Sequence, residues 1–172
     1  PPVLVTNDEQ HFGAVPGSLA SALKRVGGVG AVGNASRIPV DRDGREVALA
    51  AIDTSGQVGT GNVSSALLAA DPKAPFGLRL DPDAVVGAVQ DGWAKNRVMF
   101  VELSDLERAE QARASSIPEQ GDRQFASALR GSDALFARLL DTVDLRQDLV
   151  VLIGPTAPLQ REQLTVFAMA GP

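Results

Sequence analysis

Five polar residues stand just past the ends of predicted strands, where they are well placed to do chemistry. They are Asn34, Asp53, Ser104, Asp105 and Thr156. Ligands of open α/β sheets gather at the carboxyl ends of the strands, so this placement predicts that the five residues line one mouth. Two carboxylates with an amide and two hydroxyls could bind a hard cation such as Mg²⁺ or Ca²⁺. The local roles favour a plainer interpretation, in which Asp53 makes a turn and Asp105 serves a helix amino terminus.

Two other features could carry chemistry, but their context argues against it. Residues 28–33 match the GxGxxG spacing of dinucleotide-binding loops. These glycines follow a predicted helix and enter a strand, so no helix amino terminus is available for phosphates, and we interpret them as a helix stop with close packing. His11 is the only histidine and falls in a predicted loop. The sequence therefore predicts no bound cofactor and no histidine metal site.

Composition limits the partners that the chain can have. The 172 residues suit one domain, and a formal net charge of −5 without a basic stripe argues against nucleic acid. The absence of cysteine excludes disulfides and thiolate metal sites. There is no apolar run of about 18 residues, so any membrane attachment must come from segments outside this chain. Because the chain starts without methionine and stops after a predicted strand, we expect residues 1–172 to be a truncated single domain of a larger protein.

Apolar periodicity predicts alternating helices and strands. The first half is predicted to contain a helix at 16–26, strands at 29–32 and 46–52, a turn at 53–56, and an irregular stretch at 57–80 with a short helix at 63–70. The second half is predicted to contain helices at 82–93, 105–114 and 121–143 and strands at 97–103, 148–153 and 164–170.

Several residues have predicted local roles in these elements. Asp81 should cap the helix that follows it, and Ser104 should cap the next helix. The inward side of the long helix is predicted to consist of Phe125, Leu129, Leu135, Leu139 and Val143. The alternation of helices and apolar strands predicts an α/β fold, with a mostly parallel sheet flanked by helices on both faces in three α/β/α layers.

Four segments, taken in order, resemble a known family. They are residues 18–34, 98–109, 131–158 and 164–172. Together they are similar to the alkaline phosphatase-like superfamily, which includes phosphatases, sulfatases, nucleotide pyrophosphatases and cofactor-independent phosphoglycerate mutases. Residues 61–81 and the composition also resemble degenerate domains of that superfamily in large membrane proteins of high-GC actinobacteria.

The resemblance implies a site that this chain has lost. The family's strand-end aspartate falls on Asp105, but its histidine position is Ala109, and its Asp-His metal-binding pair falls on Pro155 and Thr156. Without these ligands there is no two-metal clamp for phosphoryl transfer. The family's nucleophile would lie before Ser18, where it is either lost or upstream of this chain.

These observations lead to a functional expectation with alternatives. We expect a non-catalytic domain that binds a protein partner or assembles at the extracytoplasmic face of a membrane, tethered through segments outside the chain. One alternative is a divergent metal-dependent hydrolase of phosphate or sulfate esters, with a cation near Asp53 and Asp105. Another is a small-ligand binding module that uses the same mouth.

Overall fold

The computed structural model describes Val5 and residues 13–38, 44–154 and 165–172. Its helices are α1 (Ser18–Leu23), α2 (Val47–Ala51), α3 (Pro82–Trp93), α4 (Asp105–Arg113) and α5 (Pro118–Leu140), with one-turn 3₁₀ helices at Ser65–Leu67 and Pro75–Gly77. Its strands are β1 (Val29–Val32), β2 (Thr60–Asn62), β3 (Leu68–Ala70), β4 (Leu78–Leu80), β5 (Val98–Val101), β6 (Val150–Ile153) and β7 (Phe167–Ala170).

A parallel sheet of three strands lies at the centre of the α/β fold, in the order β2-β1-β5. The register pairs Gly30 of β1 with Thr60 of β2 and with Met99 of β5. All four residues of β1 are buried, as expected for a central strand covered on both faces. The chain from β1 through α2 to β2 therefore forms a βαβ unit.

Side chains of the central strands alternate between two apolar clusters. Val29 and Ala31 of β1 belong to a cluster that contains Ala20 of α1 and Ala51 of α2. Val32 instead belongs to the cluster formed with α3, α5 and the β3–β4 region, whose buried members are Val32, Leu67, Leu80, Val85, Val89 and Leu135. Because successive side chains of a strand point to opposite faces, helices cover this small sheet on both faces.

The amino-terminal cap of α3 confirms the local prediction. The Asp81 carboxylate accepts hydrogen bonds from the backbone N–H groups of Asp83 and Ala84, at 2.9 and 3.2 Å. Pro82 occupies the first turn, where its missing N–H costs nothing. The cap directs Val85 and Val89 into the core.

The inward side of α5 agrees with the prediction only in part. Leu135 is buried and Leu139 packs against the same cluster. Leu129 is 51% exposed, so its predicted inward position is wrong. The periodicity identified the helix, but α5 lies beside α4 and α3, and these neighbours cover only part of its apolar stripe.

The stretch from residue 46 to residue 80 departs from the prediction. The strand predicted at 46–52 is wrong, since Val47–Ala51 is helical. Three of these five residues are alanine, the best helix former, and this intrinsic preference prevails over the alternation. The irregular stretch predicted after it contains β2, β3 and β4, and the short helix predicted at 63–70 is reduced to one 3₁₀ turn. The turn predicted at 53–56 is present.

The last two predicted strands exist, but their pairing differs from the prediction. β6 and β7 pair with each other in an antiparallel ladder and form a separate two-stranded sheet, which we call the ribbon. The parallel sheet of the described chain therefore has three strands, and a full alkaline phosphatase-like sheet is not seen. None of the described helices combines the length and the apolar composition that a membrane-spanning segment requires.

Candidate functional site

The carboxyl ends of β1 and β5 bring three of the five predicted site residues together. The strands run parallel in register, and the N–H of Glu102 donates to the carbonyl of Val32 at 2.9 Å, just past their ends. Asn34 follows β1, and Ser104 and Asp105 follow β5. The mouth therefore forms where ligands of α/β sheets gather.

Asn34 joins the ends of all three central strands. Its side-chain amide donates to the carbonyl of Val63, just past β2, at 2.9 Å. Its side-chain oxygen accepts from the N–H of Ser36 at 2.8 Å. Its backbone carbonyl accepts from the hydroxyl of Ser104, just past β5, at 2.7 Å. These bonds use the polar atoms of a residue that is completely buried.

Arg108 fills the mouth between these residues. Its side chain is 0% exposed, and its guanidinium donates to the Asn34 carbonyl at 2.7 Å and to the Ser36 carbonyl at 3.4 Å. The other terminal nitrogen donates to the Ser104 hydroxyl at 3.2 Å and to an Asp105 carboxylate oxygen at 2.5 Å. Its Nε finds no hydrogen-bond partner among the described residues. A buried cation is thus already held by carbonyls, a hydroxyl and a carboxylate.

Asp105 connects this mouth to the β3–β4 hairpin. The carboxylate oxygen that binds Arg108 also accepts from the N–H of Leu80 at 2.9 Å. Asp105 lies in the first turn of α4, where the positive end of the helix dipole stabilises a negative charge. Ser104 precedes that turn but does not cap it: its hydroxyl donates to the Asn34 carbonyl and accepts from the Arg108 side chain, and it accepts from no backbone N–H of α4. The predicted Ser104 cap is wrong for this reason.

Glu102 is the third charged residue of the mouth, after Arg108 and Asp105. Its side chain lies against Gly33, where a Cβ would come within 2.7 Å of the Glu102 Cβ. Burial raises the pKa of Glu102 to about 7; the negative charges of Glu46 and Glu107 add to this rise, and the positive charge of Arg108 opposes it. Its Oε2 is buried and finds no hydrogen-bond partner in the described part of the chain. Glu102 can therefore gain or lose a proton near neutral pH.

Asp53 lies away from this mouth. It follows α2 and precedes β2, so it belongs to the side of the sheet where the strands begin. Its carboxylate accepts from the hydroxyl of Ser55 at 2.5 Å and from the N–H of Gln57 at 3.0 Å, and it pairs with Lys24 at 3.3 Å. These hydrogen bonds, with that from Ser55 the largest cause, hold the pKa of Asp53 well below its usual range. Asp53 therefore organises the predicted turn.

Of the remaining predicted positions, the structure describes only Ala109, which adds no ligand to the mouth. Ala109 stands at the position where the family resemblance places histidine, and its methyl group has no atom that can bind a metal. The residue is completely buried. Pro155, Thr156 and His11 lie outside the described residues. Within the described ranges, no group of three or more His, Cys, Asp or Glu residues could hold a metal ion.

The glycine-rich segment has a packing role. A Cβ on Gly30 would lie 2.5 Å from the Met99 sulfur, so a larger residue at this position of β1 would require the Met99 side chain to move. Gly28 precedes β1 with a positive φ of 81° and accepts the N–H of Arg97 at 3.1 Å. The segment enters a strand, and the next helix among the described residues, α2, begins only at Val47, so no helix amino terminus lies directly after Gly33 to bind phosphate.

A groove of about 280 Å³ lies beside the edge strand β2. Its lining consists of small and apolar residues: Ala31, Ala48, Val58, Gly59, Thr60, Gly61 and Val63. None of these side chains is an acid, a base or a strong nucleophile near neutral pH. The groove offers space but no catalytic chemistry.

Sequence reasoning missed Arg108 and Glu102, although both left a signal. Arg108 follows Asp105 by three residues on a predicted helix, which is the spacing of an intrahelical ion pair. Glu102 is a carboxylate at the end of an otherwise apolar strand, so burial could have been expected. Together with Asp105, these two residues set the charge of the mouth.

Comparison of the chain with protein-family models, with curated proteins and with solved structures finds no match.

Proposed function

We propose that this chain is a non-catalytic binding or assembly domain. One observation carries the proposal: the Arg108 guanidinium occupies the mouth and engages Asp105, the carboxylate best placed to bind a metal. A cation entering there would meet a fixed positive charge and would have to displace a buried ion pair. The arrangement favours a structural role for residues that could otherwise serve catalysis.

The family resemblance supports the same proposal in a more specific form. If the chain is an alkaline phosphatase-like domain, Ala109 replaces a ligand with a buried methyl group. We propose that this degenerate domain works at the extracytoplasmic face of a membrane, as part of a larger membrane protein. Its acidic net charge favours a protein partner over nucleic acid.

Calorimetric titration with Mg²⁺, Ca²⁺ and Zn²⁺ tests the proposal. We expect no saturable binding to the wild-type chain and none to Asp105→Asn, together with no hydrolysis of an aryl phosphate or aryl sulfate. Circular dichroism establishes that the variant is folded. Stoichiometric binding to the wild type that Asp105→Asn abolishes, with turnover of either ester, would overturn the proposal.

A divergent ester hydrolase is the second candidate, and Glu102 is the observation that favours it. Its pKa of about 7 suits a general acid or base at neutral pH. In this case a nucleophile outside the described residues would act with Glu102 at the mouth. Such an enzyme would lose most of its turnover in Glu102→Gln, whereas a contaminating hydrolase in the preparation would be unaffected by that substitution.

A further inference from the structure

One face of the ribbon is apolar and open to solvent. Cross-strand partners in an antiparallel ladder point to the same side, so the pairs Val151–Met169 and Ile153–Phe167 share a face. Leu149 precedes Val151 by two residues and shares that side. We call these five residues the ribbon face. They are 49% (Leu149), 44% (Val151), 60% (Ile153), 66% (Phe167) and 61% (Met169) exposed.

The ribbon face carries no charge. Residues 149–154 and 165–172 include no Asp, Glu, Lys or Arg, so the net charge of −5 arises from other segments. Edge strands and exposed apolar strands of stable monomers are usually protected by charged side chains. Because the ribbon face has no charge, two copies of it can pack against each other without repulsion between like charges.

The size of the face suits a second copy of this chain. At roughly 100 Å² exposed for each of five side chains, the face presents about 500 Å² of apolar surface, near the top of the range for a monomer. Two copies packed face to face would remove about 1,000 Å² from water, which reaches the lower limit of a specific interface. A ribbon of two strands is also marginally stable alone, and a packed pair of ribbons provides four strands.

We propose that the chain forms a two-fold symmetric dimer through the ribbon face. This inference rests on the proposed function, since it names the partner of an assembly domain as a second copy. The contact is isologous, so Phe167 of each copy packs against the ribbon of the other copy. The mouth around Arg108 takes no part in it.

Sedimentation velocity across a range of protein concentrations tests the proposal. We expect the mass to double with increasing concentration, up to about 100 µM. Phe167→Asp should weaken the dimer at least about tenfold, because it places a charge in a desolvated apolar contact. Leu129→Asp is the matched control, since Leu129 is similarly exposed but lies on α5, and its dimer should resemble that of wild type.

A cross-linking experiment gives an independent readout. Because the chain has no cysteine, a single introduced cysteine can form a disulfide only between copies. We expect Phe167→Cys to cross-link under mild oxidation at a rate that rises with protein concentration, and Leu129→Cys to remain monomeric. This test holds even if Phe167→Asp disturbs the ribbon.

Three results would overturn the dimer proposal. They are a monomer throughout the concentration range, a dimer that Phe167→Asp leaves intact, and a monomer that binds phospholipid vesicles through the ribbon face. None of them bears on metal binding or ester hydrolysis. The dimer can therefore fail while the non-catalytic assignment stands, and the reverse also holds.

Discussion

The mouth at the end of the parallel sheet and the ribbon differ in which side chains they bury and which they expose to solvent. At the mouth, Asn34, Ser104 and Arg108 are buried, and their polar atoms bind one another. In the ribbon, every residue of β7 is exposed, and its large side chains are apolar. The mouth was expected to be accessible to a ligand, but its side chains are buried. The strands β6 and β7 were expected in the core, but every residue of β7 is exposed.

This contrast indicates where the chain can interact. At the mouth, most polar atoms of Asn34, Ser104 and Arg108 already have partners, so a ligand that binds them must replace existing hydrogen bonds. The exceptions among the described residues are the Nε of Arg108 and the Oε2 of Glu102. Exposed apolar surface gains free energy whenever a partner covers it. The ribbon is therefore better suited to recognition than the mouth, and the following predictions test that difference.

The largest effect is expected for Arg108→Ala. The substitution leaves the Asp105 carboxylate and the Asn34 carbonyl without their buried partner, and breaking such a pair costs about 3–5 kcal/mol. Urea unfolding measures the loss. The control is Arg138→Ala, which removes an exposed ion pair with Asp83 and should cost less than about 1 kcal/mol. Equal losses for the two variants would contradict the structural role of the mouth.

A matched pair of leucine substitutions compares the core with the ribbon. Leu67 is completely buried, so Leu67→Ala should lower the free energy of unfolding by about 2–4 kcal/mol. Leu149 lies on the ribbon face, and Leu149→Ala should cost less than about 1 kcal/mol in the monomer. Urea unfolding at low protein concentration avoids any contribution from association. A ribbon that packs firmly within one chain would give a large loss for Leu149→Ala.

A smaller effect concerns the pH dependence set by Glu102. Its folded-state pKa is raised to about 7, so its contribution to stability is full below the unfolded pKa of about 4.3 and is lost as pH rises towards 8. Glu102→Gln should therefore gain about 1 kcal/mol relative to wild type between pH 5 and pH 8, after allowance for solvent screening. Urea unfolding at several pH values measures this difference.

The control for this pH series is Glu119→Gln. Glu119 is exposed in the first turn of α5, so its variant should follow the wild-type pH curve. If the unfolding free energies of wild type and Glu102→Gln change in parallel with pH, Glu102 is well solvated.

The smallest effect is expected at the exposed turn around Asp53. Hydrogen bonds lower the folded-state pKa of Asp53, so its contribution is present above the unfolded pKa and is lost as pH falls through the folded pKa. Asp53→Asn should lower the melting temperature at pH 7, and the deficit should shrink below about pH 4. The control is Asp91→Asn on α3, because Asp91 is exposed and lies outside the turn. Thermal unfolding of both variants compares their melting temperatures with that of wild type. A deficit that is constant with pH would show that the charge is not involved.

Local sequence patterns predicted the elements that depend on near neighbours. Asp81 caps α3 as expected, because an N-cap bond joins residues two or three positions apart. β1 and β5 were predicted from short apolar runs and are confirmed. The predicted strand at 46–52 is wrong, because a segment of seven residues that includes three alanines is too short for periodicity alone to separate helix from strand.

The sequence predicted where the candidate site lies, but it did not predict that Arg108 belongs to it. The rule that strand ends share one edge of a parallel sheet brought Asn34, Ser104 and Asp105 together. It placed Asp53 in the same group only because residues 46–52 were predicted to be a strand. Arg108 entered the site from α4, and its complete burial depends on how that helix packs against the end of β1.

The sequence by itself determined the α/β character of the chain, its cap at Asp81, and the absence of cysteine chemistry, because these depend on composition and on contacts a few residues apart. Only the tertiary structure decided that Arg108 is buried in the mouth against the Asn34 carbonyl and that β6 pairs with β7 outside the parallel sheet. Both outcomes arise from contacts between distant segments. Their free energies depend on burial and desolvation, which a one-dimensional pattern does not contain.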